Sequence, residues 1–122
     1  MKVVLFEDRC RDGAPVGFVL SRAGVACEWH HEPGAIVRAV LAGTPDAIVW
    51  ALRPESDADL ATLRLIKLIV PEVPLLVVEP ESLALSPENR NDLRPTFVGR
   101  LPVNAVEFFE VIDGLRESTT SV

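Results

Sequence analysis

Three short runs, Val3 to Phe6, Ala47 to Ala51 and Leu75 to Val78, are apolar at every position. Successive side chains of a strand point to opposite faces, so a run without polar alternation needs cover on both. A parallel sheet layered between helices supplies that cover. A weaker run at Val25 to Trp29 and a short one around Phe97 and Val98 bring the expected strands to five.

Amphipathic stretches fill the intervals. Pro15 to Ala23 places Val16, Val19 and Leu20 on one face, with Pro15 suited to a first helical turn and Gly24 to its end. Pro33 to Ala42 repeats the arrangement with Ile36, Val37, Val40 and Leu41, stopped by Gly43. Asp57 to Val70 is the longest, with Leu60, Leu63, Ile66, Lys67 and Val70 at helical spacing. Ser86-Pro87-Glu88 reads as an N-cap followed by proline at N1, opening a short polar helix to Leu93. Asn104 is placed to cap the last helix, whose apolar face takes in Val106, Phe109, Ile112 and Leu115. Five strands alternating with five helices make residues 1–117 one doubly wound α/β domain, and 118–122 a short polar tail.

Composition narrows the function classes. With 48% hydrophobic residues in 122, the chain can bury a core. No apolar run approaches the roughly 18 residues that cross a bilayer, and Met1 to Phe6 leads straight into Glu7-Asp8 without a signal-peptide pattern. The expectation is a cytoplasmic domain with no membrane partner. A net charge of -6, with no lysine or arginine cluster to offset it, repels phosphate backbones and sets nucleic acid aside as a partner. Cys10, beside Arg9 and Arg11, and Cys27, near the start of the second strand, are read as free thiols, Cys27 as a small core hydrophobe.

A sheet wound in the order 2-1-3-4-5 opens its functional crevice at the carboxyl ends of strands 1 and 3. Strand 1 delivers Glu7 and Asp8 there, strand 3 delivers Ala51, strand 4 delivers Glu79, and strand 5 leads to Arg100, Leu101 and Pro102. With these residues so placed, the chain resembles, over essentially its whole length, the receiver domains of bacterial response regulators. Pro45 to Pro54 resembles their third strand and the loop after it. The resemblance implies a flavodoxin-like, receiver-type parallel sheet. It puts Glu7-Asp8 in the place of the magnesium-binding acidic pair and Ala51 in that of the phosphoryl-accepting aspartate. Glu79 stands for the hydroxyl residue after strand 4, and Leu101 for the lysine before Pro102.

Three of those four roles lose their chemistry. Alanine has no oxygen with which to attack a phosphoryl group. Leucine offers no cation to the charge that develops on transfer. Glu79 would repel phosphoryl oxygen where a hydroxyl should bond it. An acidic pair without a third carboxylate should hold magnesium weakly at best, because that ion takes near-octahedral oxygen ligands. Glu7 and Asp8 are therefore read first as structural remnants, satisfied by loop amides or by an arginine, and second as residual metal ligands. Arg53, or Arg100 through a shifted alignment, could supply positive charge there and replace a metal site by a salt bridge. His30-His31 is set aside as a metal motif because neighbouring strand residues face opposite ways. Trp50 is assigned to core packing.

The favoured reading is a pseudo-receiver, not an enzyme, that signals by contact with a protein partner or flanking domain. By resemblance, the contact face is helix 4, strand 5 and helix 5, roughly 86–99 and 103–117, which could also form a homodimer. Phe97, Phe108 and Phe109 mark it. Phe108 and Phe109 lie about 100° apart on a helix, which puts one of them near the surface. Two alternatives stay open. One is a phosphoaccepting receiver with a non-standard acceptor, Asp46 or Asp57, neither well placed. The other is a small ligand-binding domain on the same fold, although the loop from Glu7 to Gly13 has one glycine and three acids, a poor phosphate cradle.

Overall fold

The apolar runs form one parallel sheet. The structure is a computed structural model that describes residues 2–8, 16–22, 24–53, 57–80, 84–100 and 105–120, with the backbone alone for 105, 108, 109 and 116–120. Its strands are β1 (Val3–Phe6), β2 (Cys27–His30), β3 (Ala47–Ala51), β4 (Leu75–Glu79) and β5 (Phe97–Arg100). The helices are α1 (Val16–Arg22), α2 (Pro33–Ala42), α3 (Asp57–Ile69), α4 (Pro87–Leu93) and α5 (Ala105–Thr120). The strands lie in the order β2-β1-β3-β4-β5, all parallel, so the doubly wound topology expected from the alternation is the one observed.

Every residue of β1, β3 and β4 is buried, because helices cover both faces of the central strands. One face packs Val4, Phe6, Ile48, Trp50 and Val77 beneath residues of α2 and α3. The other packs Leu5, Val49, Ala51 and Val78 against Val16 and Leu20 of α1 and Ile112 of α5. Trp50, fully buried, lies against Phe6 across the β1–β3 register, with ring centroids 4.4 Å apart.

Local chemistry sets the helix ends. The Ser86 hydroxyl accepts from the Asn89 amide at 3.1 Å, with proline next in the chain, so the short α4 starts where the capping pattern places it. Gly24 turns the chain after α1 at φ 77°, a conformation glycine adopts without strain. Pro15, Ala23 and Asn104 lie outside the described residues.

Some helix faces are rotated from expectation. Leu41 and Val106 are exposed rather than packed. The buried stripe of α3 is Asp59, Leu63 and Ile66, continued by Val70, with Leu60 and Lys67 at its margin. At about 100° per residue, a one-residue misjudgement moves a side chain to the edge of the face. The second strand begins at Cys27 instead of Val25, and the fourth extends to Glu79.

Candidate functional site

The crevice at the carboxyl ends of β1, β3 and β4 gathers three carboxylates, Glu7, Asp59 and Glu79, that are almost wholly buried. A buried carboxylate is costly unless hydrogen bonds or opposite charge replace its water. Each has such partners.

Glu7 follows β1. Its amide donates to His30 O at 3.1 Å, continuing the β1–β2 ladder by one residue and fixing the direction of the side chain. Its carboxylate accepts from the Val16 amide at 2.8 Å and the Gly17 amide at 3.2 Å, at the start of α1. A helix start exposes unpaired N–H groups and a partial positive charge, which a carboxylate satisfies. The amides that engage Glu7 thus belong to a helix, not to a loop. His31 Nδ1 donates to the Glu7 carbonyl at 2.9 Å, which places the proton on that nitrogen, since a carbonyl only accepts.

Ala51 ends β3 in the α1/α5-side core, 2% exposed, with its methyl among apolar neighbours. The chain then continues in register, Leu52 N donating to Val78 O at 2.9 Å. Arg53 follows and crosses to α3. Its backbone amide donates to Asp59 Oδ2 at 3.1 Å, its Nε donates to Oδ1 at 3.0 Å, and its terminal nitrogen also reaches Oδ1. The guanidinium lies over the Phe6 ring, 5.2 Å from the centroid. Hydrogen bonding to Asp59 raises the Arg53 pKa, opposed by burial and assisted by the charges of Asp59 and half-buried Asp8. The salt bridge expected of Arg53 is therefore made with Asp59, while Asp8 acts on it through space.

Glu79 ends β4. Its Oε2 accepts from the Leu85 amide, and its Oε1 lies 3.7 Å from Arg90 of α4 and 3.6 Å from Arg100 of β5. Arg100 thus stands beside Glu79, its partner in the β4–β5 register. The carboxylate expected to repel a phosphoryl group joins β4, α4 and β5 instead.

Magnesium keeps several waters and needs oxygens converging on one point. Here Glu7 is shut off from solvent with both oxygens on amides, and Ala51 contributes no oxygen. Among the described residues, no group of three His, Cys, Asp or Glu side chains is arranged to hold a metal ion. Glu7 and Ala51 thus present no open oxygen to such an ion.

Other expected site positions divide. Leu101, Pro102 and Cys10 lie outside the described residues, as do the side chains of Phe108 and Phe109. Phe97, expected on the contact face, is half-buried and packs on the α1/α5-side core. Asp46 sits at the amino end of β3, where it accepts from the Lys2 amide, and Asp57 is exposed at the start of α3. Cys27 is half-buried, and burial, then the charge of Glu7, pushes its thiol pKa up.

Sequence reasoning missed Asp59 and Arg90. Asp59 was detectable, since it stands four, seven and eleven residues before Leu63, Ile66 and Val70 on the same stripe. Arg90 had no such signal, because its partner depends on how α4 docks.

No protein-family model matches the sequence, and no curated protein does. Solved structures do match in fold. The receiver domain of NtrX from Brucella abortus superposes with a TM-score of 0.74 at 19% identity, covering 98% of this chain and 99% of that one. Chemotaxis protein CheY4 from Vibrio cholerae gives 0.73 at 15%, covering 93% and 97%. The signal receiver domain of a histidine kinase from Syntrophus aciditrophicus gives 0.73 at 16%, covering 99% and 93%. The chain has the receiver-domain fold, and at these identities the likeness is one of fold.

Proposed function

We propose that this is a pseudo-receiver, a cytoplasmic signalling domain of a bacterial two-component system that acts by protein contact without phosphoryl transfer. The observation that carries the reading is the crevice itself. Ala51 stands buried and oxygen-free at the end of β3, while Glu7, Asp59 and Glu79 are engaged by amides and arginines of the same domain. Phosphorylation shifts a receiver between two states only if the phosphoryl group binds one of them better. With no group to accept it, the output face is held in one state, and the Glu79 contacts to α4 and β5 supply a physical hold.

The contact face of this reading is α4, β5 and α5, taking a signalling partner, a flanking domain or a second copy of the chain. Magnesium binds weakly, in the millimolar range or above, for want of a complete oxygen shell. Among the described residues no helix is long and apolar enough to cross a membrane.

The deciding experiment is exposure to acetyl phosphate and, separately, beryllofluoride with magnesium. Intact-mass spectrometry should show no phosphoryl adduct, and NMR spectra should show no beryllofluoride-dependent change. A stable adduct would overturn the reading and return Asp46 or Asp57 to consideration. Replacing Phe108 with alanine and measuring partner capture and sedimentation tests the contact face. Unchanged association with unchanged stability would exclude it.

A further inference from the structure

At the opposite end of the sheet, by the amino ends of β4 and β5, a cleft of about 780 Å³ opens between the last turns of α3 and α4. That volume lies in the range of small-molecule sites. Leu68, Val73 and Leu93 give it apolar surface, and Asn91 and Thr96 add neutral polar groups. Its charged lining is Arg64, Lys67 and Arg94 against Glu72 and Asp92.

The cations of this cleft differ from the arginines of the crevice. Arg53, Arg90 and Arg100 all meet carboxylates, and Arg64 donates to Asn89 at 2.6 Å. Among the described residues the side chains of Lys67 and Arg94 have no hydrogen-bond or ion-pair partner, and both line the cleft. Burial, then the charge of Arg94, lowers the Lys67 pKa. Both cations sit near helix C-termini, where the macrodipole favours positive charge. Arg94 is also held at φ 46°, ψ 56°, the left-handed conformation in which a helix normally ends on glycine. An arginine kept in that conformation places a guanidinium on the cleft wall at a backbone cost that glycine would avoid.

We infer that the cleft binds a small organic anion carrying two or more negative charges, as carboxylate or phosphate, between Lys67 and Arg94. Two cations lining one partly apolar cleft suit such a ligand, because charge-assisted hydrogen bonds to both would relieve their repulsion. The overall charge of -6 disfavours extended polyanions at the same place. The inference is independent of the pseudo-receiver reading, since it uses none of the crevice residues.

The test is an NMR titration of the whole chain with pyrophosphate and, separately, citrate. Saturable shifts should centre on Lys67, Arg94 and Thr96, and the Lys67 side-chain pKa should rise on binding. Arg94→Gly suits the left-handed backbone and should fold normally while weakening binding about tenfold or more, and Lys67→Gln should do the same. Response to pyrophosphate alone assigns the phosphate class, response to citrate alone the carboxylate class, and response to both a general site for small multiply charged anions. Absence of saturable binding by either anion would overturn the inference. So would shifts centred elsewhere, or affinity unchanged in both variants.

Discussion

Glu79 and Arg100 end neighbouring strands in direct register, and the carboxylate of one lies 3.6 Å from the guanidinium of the other. The carboxylate is buried while the arginine is half-exposed, so the two partners respond differently to loss of the pair. Removing the carboxylate leaves Arg90 and Arg100 able to turn to water, but the Leu85 amide loses its acceptor. Glu79→Ala should cost about 1–3 kcal/mol, and Glu79→Gln less, because the amide oxygen can still accept. Urea unfolding checks both. An alanine variant as stable as the parent would show that the contact holds nothing in place.

Arg53 and Asp59 pair a fully buried carboxylate with a partly exposed arginine, and here the arginine is the partner to remove. Arg53→Leu leaves that charge with the backbone amide of position 53 but without its cation, and should destabilise by about 3 kcal/mol. Replacing both residues with leucine should recover much of the loss. A double-mutant cycle in chemical denaturation measures the coupling, and simple additivity would mean that the pair does not interact.

Gly17 leaves room for Trp29. A Cβ added at Gly17 would lie 2.7 Å from the indole ring, so Gly17→Ala must displace it. Helix propensity favours alanine by about 1 kcal/mol, yet overpacking costs about 1–3 kcal/mol, so the net change should be a loss. Tryptophan fluorescence should shift as Trp29 moves. A gain in stability with an unchanged spectrum would contradict the close contact.

Lys67 and Cys27 give stability opposite slopes at alkaline pH. The Lys67 pKa is lowered in the folded chain, so the folded state sheds that proton first. Its destabilising effect is full below the folded pKa and is relieved as pH rises toward the unfolded value of about 10.4. Lys67→Met should therefore stabilise at neutral pH, with the advantage disappearing by about pH 10.4. The Cys27 pKa is raised, so the unfolded state ionises first, and stability should fall as pH rises from about 8.5 through the folded pKa. Cys27→Ala should flatten that decline. Urea midpoints across pH 7–11 in a Cys10→Ser background follow both. A Lys67→Met advantage that persisted unchanged to pH 11 would contradict the lowered lysine pKa.

Much of this protein was legible in its sequence because the physics concerned is local. Uninterrupted apolar runs such as Ala47 to Ala51 require a sheet covered on both faces, and the Ser86-Pro87 pair caps a helix wherever that helix lies. Alanine at position 51 lacks a nucleophilic oxygen in any fold. The partners of the buried carboxylates were another matter. Glu7 turning to the α1 amides, Asp59 to Arg53 and Glu79 to Arg90 and Arg100 follow from how strands register and how helices dock. The exposure of Leu41 and Val106 was decided at the same level, by the rotation of a helix about its own axis. Strand alternation and helix periodicity set the direction of a side chain relative to its own element, but a hydrogen bond or ion pair needs two elements within a few ångströms. That distance exists only once the chain has packed.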